Sequence, residues 1–171
     1  MNKKAFFIGL IVISIVPNGY SHITYALKSE LGYMKFIYNT VTVEPGPNWK
    51  GYYLDNQNGF DFSITNGIKF KEKIYTGVGV GYLNFDGING VSLLSDFEFL
   101  ALKYRLTPLI GIKFGYSHLW NQYESGTGTA LAEIDLGFNF KLSDKFGVFA
   151  KIGCLFTQQS LLIPIKIGFR F

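Results

Sequence analysis

Residues 161–171 read LLIPIKIGFRF, with Leu161, Ile163, Ile165, Ile167, Phe169 and Phe171 at every second position and Leu162, Pro164, Lys166, Gly168 and Arg170 between them. A period of two sends alternate side chains to opposite faces of a strand, so one face of this segment is wholly apolar while the other carries its charges. Lipid suits the first face and a polar lumen the second. The stretch therefore predicts a membrane-crossing strand that ends on an aromatic residue.

The same alternation recurs upstream in segments of about ten residues, the length a tilted membrane strand needs. In residues 59–70, Phe60, Phe62, Ile64, Ile68 and Phe70 oppose Asp61, Ser63, Thr65, Gly67 and Lys69. Residues 74–84 set Thr76, Val78, Val80 and Tyr82 against Gly77, Gly79 and Gly81, and residues 109–120 set Ile110, Ile112, Phe114, Tyr116, His118 and Trp120 against Gly111, Lys113, Gly115 and Ser117. Residues 129–140 place Ile134, Leu136, Phe138 and Phe140 opposite Glu133, Asp135, Gly137 and Asn139, and residues 145–157 place Phe146, Val148, Ile152, Cys154 and Phe156 opposite Gly147, Lys151 and Gly153. Two segments are less regular. Residues 93–105 mix Asp96 and Glu98 with Leu100 and Leu102 on one face and put Lys103 on the face of Phe97 and Phe99, where its long stem would carry the charge to an interface. Residues 27–39 have no clearly apolar face.

Eight such segments predict an all-β, eight-stranded antiparallel up-and-down transmembrane barrel. Tight turns are expected at 71–73, 106–108 and 143–144, and longer connections at 40–58, 86–91 and 121–128, with both termini on the periplasmic side. Tyr82, Tyr116 and Trp120 would form one interfacial girdle, and Phe70, Phe140, Phe146, Phe169 and Phe171 the other. Pro164 cannot donate to a ladder, so either pairing begins after it or a bulge sits beside it.

Before the first strand, Lys3 and Lys4 precede the apolar run 5–16 and the breaker Pro17. The run is too short to span a bilayer as a helix and reads as a secretory signal, with cleavage expected after Ser21, Ala26 being the second possibility, and the barrel occupying 22–171. Removal of residues 1–21 takes away two of the 16 basic side chains, leaving 14 against 12 acidic ones. No Lys/Arg stripe tracks a phosphate backbone, so nucleic acid is not an expected partner. Cys154 is the only cysteine and excludes an internal disulfide.

Cost decides which face lies inside. Asp61, Asp96, Glu98, Glu133 and Asp135 share the polar faces with Lys69, Lys113, Lys151, Lys166 and Arg170. In lipid each base near the midplane would cost about 2–4 kcal/mol, whereas in the lumen these groups can pair into a self-neutralising network. A soluble lipocalin-like barrel or β-sandwich has the reverse polarity and leaves the terminal Phe171 without a role.

The stretches SITNGIKFKEKIYTGVGVGYLNFDG, ALKYRLTPLIGIKFGYSHLW and LGFNFKLSDKFGVFAKIG resemble the small outer-membrane β-barrel domain family of Gram-negative bacteria. The likeness covers roughly 59–171 and rests on Asn66-Gly67, the ladder Gly77 to Gly81, Thr107-Pro108, Gly115-Tyr116 and the turn from Leu142 to Lys145. What it implies is architectural: a place in the cell outer membrane among lipid and lipopolysaccharide, and Phe169 and Phe171 as the signal read by the barrel assembly machinery. A monomer is expected. Porin-like conduction is disfavoured, because the interior of eight strands is just filled by side chains.

Chemical readings find less support in the sequence. Ser117, His118, Asn121 and Glu124 share the composition of the Ser/His/acid set of a lipid A deacylase, but Trp120 stands where that set has its serine, and alternation sends Ser117 and His118 to opposite faces. No catalytic residue is therefore assigned. A narrow channel for small solutes is the other alternative. Two histidines, His22 and His118, and a lone cysteine give no metal-ligand spacing, and no cofactor is expected. Within the loop TVTVEPGPNWKGYYLDNQN, Trp49, Tyr52 and Tyr53 offer amphipathic area for an external ligand of unknown kind, or fold over the barrel mouth as a lid.

Overall fold

The computed structural model describes residues 23–40, 57–122, 126–143 and 146–171. The expected signal segment, the loop bearing Trp49, Tyr52 and Tyr53, and Glu124 lie outside them. The described residues form eight strands: β1 Ile23–Asn39, β2 Gly59–Phe70, β3 Ile74–Phe85, β4 Ile88–Leu100, β5 Leu106–Trp120, β6 Thr127–Lys141, β7 Gly147–Thr157 and β8 Ser160–Arg170. Each pairs antiparallel with the next, and β8 pairs with β1 to close a barrel. Closure leaves no unpaired sheet edge, the condition for strands to cross hydrocarbon.

Side chains alternate as the sequence pattern requires. Phe60, Phe62, Ile64 and Ile68 of β2 face outward, while Asp61, Ser63 and Thr65 are buried. Cys154 likewise faces outward. Among the described residues, Lys35 near the rim remote from the termini is the one charged side chain at an outward strand position. At the opposite rim Phe146 stacks on Phe169 with ring centroids 6.0 Å apart and tilts against Phe171 at 5.1 Å.

Several boundaries differ from expectation. The long connection expected at 86–91 is strand up to the two-residue turn Asp86-Gly87, where Gly87 takes a φ of 80°. Asp-Gly is a hairpin signal, and it outweighs the polar look of the flanking residues. The tight turn expected at 106–108 lies inside β5. Its place is taken by 101–105, which Thr107 closes by accepting from the Leu102 N–H and donating to the Leu102 carbonyl, both at 2.9 Å. Lys103 accordingly sits in a turn, not on a strand. β1 begins at Ile23, four residues before the expected start, because Thr24 to Ala26 pair with Lys69 to Gly67.

Pro164 does not delay the last strand, which begins at Ser160. On the β1 edge Pro164 opposes Met34 in regular register, and the bulge lies further out, between Phe36 and Tyr38. On the β7 edge the ladder passes from Ile152–Ile165 to Leu155–Leu162, so pairing lapses opposite Pro164 and Ile163 while register is kept. The missing N–H is absorbed by a local gap in one ladder.

Candidate functional site

The lumen is built from the inward positions of all eight strands, and its character changes along the axis. In the half nearer the termini it holds charge. Lys28 of β1 is fully buried and its Nζ lies 3.0 Å from Glu30 and 2.7 Å from Glu98, with Asp96 as a third partner. Carboxylate oxygens of Glu30, Asp96 and Glu98 come within 4.8 Å of one another, the spacing of a cation site, and the Lys28 ammonium stands among them.

Glu30 is the second hub. It receives Lys151 at 2.9 Å and also pairs with Lys113. Lys151 reaches on to Asp135 at 2.8 Å and Glu98 at 3.5 Å, while Arg170 pairs with Glu98 and donates to Asn139 at 3.2 Å. This connected group balances the acids Glu30, Asp96, Glu98 and Asp135 against the bases Lys28, Lys113, Lys151 and Arg170. A satellite group joins Lys166 to Asp61 at 3.0 Å and Glu133 at 2.7 Å. Tyr75 and Phe149 floor the network: the Arg170 guanidinium lies 5.3 Å from each ring centre, and the Lys28 ammonium 4.9 Å from that of Tyr75. The ring faces supply negative potential where carboxylates are absent.

Lys69 faces inward but takes part in none of the ion pairs among the described residues; it stands at the mouth beside the termini. Lys28, Glu30 and Tyr75, by contrast, are central, although the sequence does not single them out. The signal of Lys28 and Glu30 is present in β1, where Ala26, Lys28, Glu30, Gly32 and Met34 alternate, but the outward partners Ser29 and Lys35 blur the opposite face.

The other half of the lumen is apolar, contrary to the polar lumen expected. Met34, Leu83, Phe85, Ile88, Leu94, Leu119, Leu131, Leu155 and Leu162 form one buried cluster with Phe36 packed against it. At this end Gln122 donates to Gln159. The interior is thus a plug of side chains above a salted layer, as the narrow cross-section of eight strands requires.

The hydrolase set is not assembled. Ser117 is buried in the lumen, whereas His118 lies on the outer face edge-on to Trp120, with ring centroids 5.3 Å apart. Asn121 has a φ of 64° and its amide donates to the Gly87 carbonyl at 3.4 Å.

No protein-family model matches the sequence, and no curated protein does so either. Solved structures do match in fold. One is Neisserial surface protein A, 9% identical, with a TM-score of 0.66 over 86% of this chain and 97% of that one. Another is the N-terminal β-barrel domain of Pseudomonas aeruginosa OprF, 13% identical, with a TM-score of 0.55 over 85% of this chain and 97% of that one. The architecture is that of small outer-membrane barrels, reached by a sequence that shares little else with them.

Proposed function

We propose that the chain is an integral protein of the cell outer membrane, exported by a signal segment at 1–21, inserted by the barrel assembly machinery through its terminal strand, and acting as a monomeric scaffold in lipid and lipopolysaccharide. Its role is structural or binding, exercised through the connections at the rim remote from the termini, and Trp49, Tyr52 and Tyr53 are the residues best suited to meet an external ligand. The observation that carries this reading is the pairing of an outward belt almost free of charge with a lumen closed across its middle by the ion network and the apolar cluster. A belt of that kind is at home only in hydrocarbon, and a lumen closed in this way leaves binding at the rims as the available work.

Neither alternative draws support from the geometry. A channel needs a water-filled path, and the apolar cluster around Met34 and Leu162 lies across it. A hydrolase needs Ser117 and His118 within hydrogen-bond reach, and they occupy opposite faces of β5.

Gel migration of an outer-membrane fraction with and without boiling tests the location. A folded band that shifts on heating is expected, and recovery only in the soluble periplasmic fraction would refute it. Planar-bilayer recording, expected to show no conductance steps, separates the scaffold from the channel. Lipid A acylation followed by mass spectrometry in Ser117→Ala and His118→Ala variants, expected unchanged, separates it from the hydrolase.

A further inference from the structure

The mouth beside the termini opens into a cavity of about 430 Å³ whose wall includes Lys69, Lys103, Lys141, Asn139 and Arg170, with Tyr104 among its aromatic residues. Charge is unevenly spread at this rim. Among the described side chains outside the ion network, Lys69, Lys71, Lys73, Lys103, Arg105 and Lys141 gather here against Glu72, which lines the same cavity. Some of these bases are engaged: Lys71 lies 5.4 Å over the Phe70 ring, Arg105 4.9 Å over Phe140, and Lys141 3.9 Å from Glu72. Lys69 and Lys103 have no such partner among the described residues.

Arg170 closes the inner end of the cavity wall. It is 3% exposed, spends its two terminal nitrogens on Asn139 and Glu98, and keeps a buried Nε–H with no acceptor. Asn139 gives its carbonyl oxygen to Arg170, which leaves its amide N–H groups as further donors in the same wall.

We infer that this cavity is an anion site, with Lys69 and Lys103 as its cationic walls, and that its ligand carries a phosphate group. Two cations unpaired among the described residues and an amide donor fit the several acceptor oxygens of a phosphate better than the two of a carboxylate, and the apolar and aromatic lining accepts the organic part of a phosphoester. Its periplasmic location rests on the orientation proposed above; its chemistry does not. Two sources offer the group there, a soluble phosphate compound and the headgroup of an anionic phospholipid in the inner leaflet.

The test uses the full folded protein in a non-ionic detergent free of phosphate. Inorganic phosphate is titrated by calorimetry, and in a second arm the protein is placed in nanodiscs of phosphatidylcholine with or without phosphatidylglycerol and retained lipid is read by native mass spectrometry. Binding in the first arm identifies a soluble source, and retention of phosphatidylglycerol alone identifies the lipid. In either case the double variant Lys69→Gln/Lys103→Gln, which leaves the buried network intact, is expected to bind at least tenfold more weakly, while Lys35→Gln at the far rim binds as the parent does. Absence of binding in both arms, or binding unaltered in the double variant with its heat-shifted gel band retained, would overturn the assignment.

Discussion

Leu27 and Phe171 exchange both backbone hydrogen bonds, the Leu27 N–H donating to the Phe171 carbonyl at 3.1 Å and the Phe171 N–H to the Leu27 carbonyl at 2.8 Å. The last residue of the chain thus bonds to the first strand at the seam that closes the barrel. Its ring adds the contact with Phe146. Backbone closure and the part played by the ring are therefore separable at one position.

Phe171→Ala keeps the two backbone bonds and loses the ring. The aromatic pair is worth about 0.5–1.5 kcal/mol, so refolding into detergent and the urea midpoint should fall only modestly. On the proposed reading, in which the assembly machinery reads the ring, delivery to the outer membrane in cells should fall much further. Equal losses in both assays would reduce Phe171 to a packing residue.

Glu30 collects Lys28, Lys113 and Lys151 in a dry interior. Glu30→Gln preserves its shape and strands buried cations, a loss of about 3–5 kcal/mol in unfolding free energy. Glu72→Gln at the rim breaks a half-exposed contact with Lys141 and should cost no more than about 1 kcal/mol. Urea unfolding of the two variants followed by tryptophan fluorescence makes the comparison; similar values would mean that the network is hydrated.

Two inward glycines should respond in opposite ways. A Cβ at Gly67 would lie 2.7 Å from the Gly77 Cα and against the Thr76 carbonyl, where backbone cannot yield, whereas one at Gly111 would meet Asp135 at 3.4 Å. Gly67→Ala should destabilise by about 1–3 kcal/mol. Gly111→Ala should be neutral or stabilising by a few tenths to about 1 kcal/mol, since alanine lowers the entropy of the unfolded chain. Thermal midpoints in one detergent would check both.

The turn between β2 and β3 places Lys71 and Glu72 at φ 50° and 59°. Each non-glycine residue in the left-handed region costs about 1–2 kcal/mol, and Asn-Gly suits such a turn far better. Replacing the pair by Asn-Gly should raise stability by about 1 kcal/mol or more; a lower thermal midpoint would show that these side chains contribute something the turn geometry does not reveal.

The fold is legible in the sequence because lipid imposes a strict outward pattern, and runs such as Phe60, Phe62 and Ile64 record it without interruption. The lumen is less legible because it answers to several neighbours at once. Leu94, Leu119, Leu131, Leu155 and Leu162 look like lapses in polar faces when each strand is read alone, and become a cluster only when closure brings five strands together. Lys28 and Glu30 are hidden in the same way: the alternation that marks them within β1 is blurred by Ser29 and Lys35, and their importance comes from Asp96, Glu98 and Lys151 on other strands. Turn positions depart from expectation where hydrogen bonding, such as that of Thr107 to Leu102, moves the chain reversal away from proline.

Cys154, the chain's only cysteine, stands on the outward face of β7 between Ile152 and Phe156, and so reports directly on what surrounds the belt. A small fluorophore attached there before refolding into vesicles should be quenched by lipids brominated on their acyl chains and spared by iodide in the buffer. Quenching by iodide with no response to brominated lipid would put the belt in water and contradict a membrane-spanning barrel.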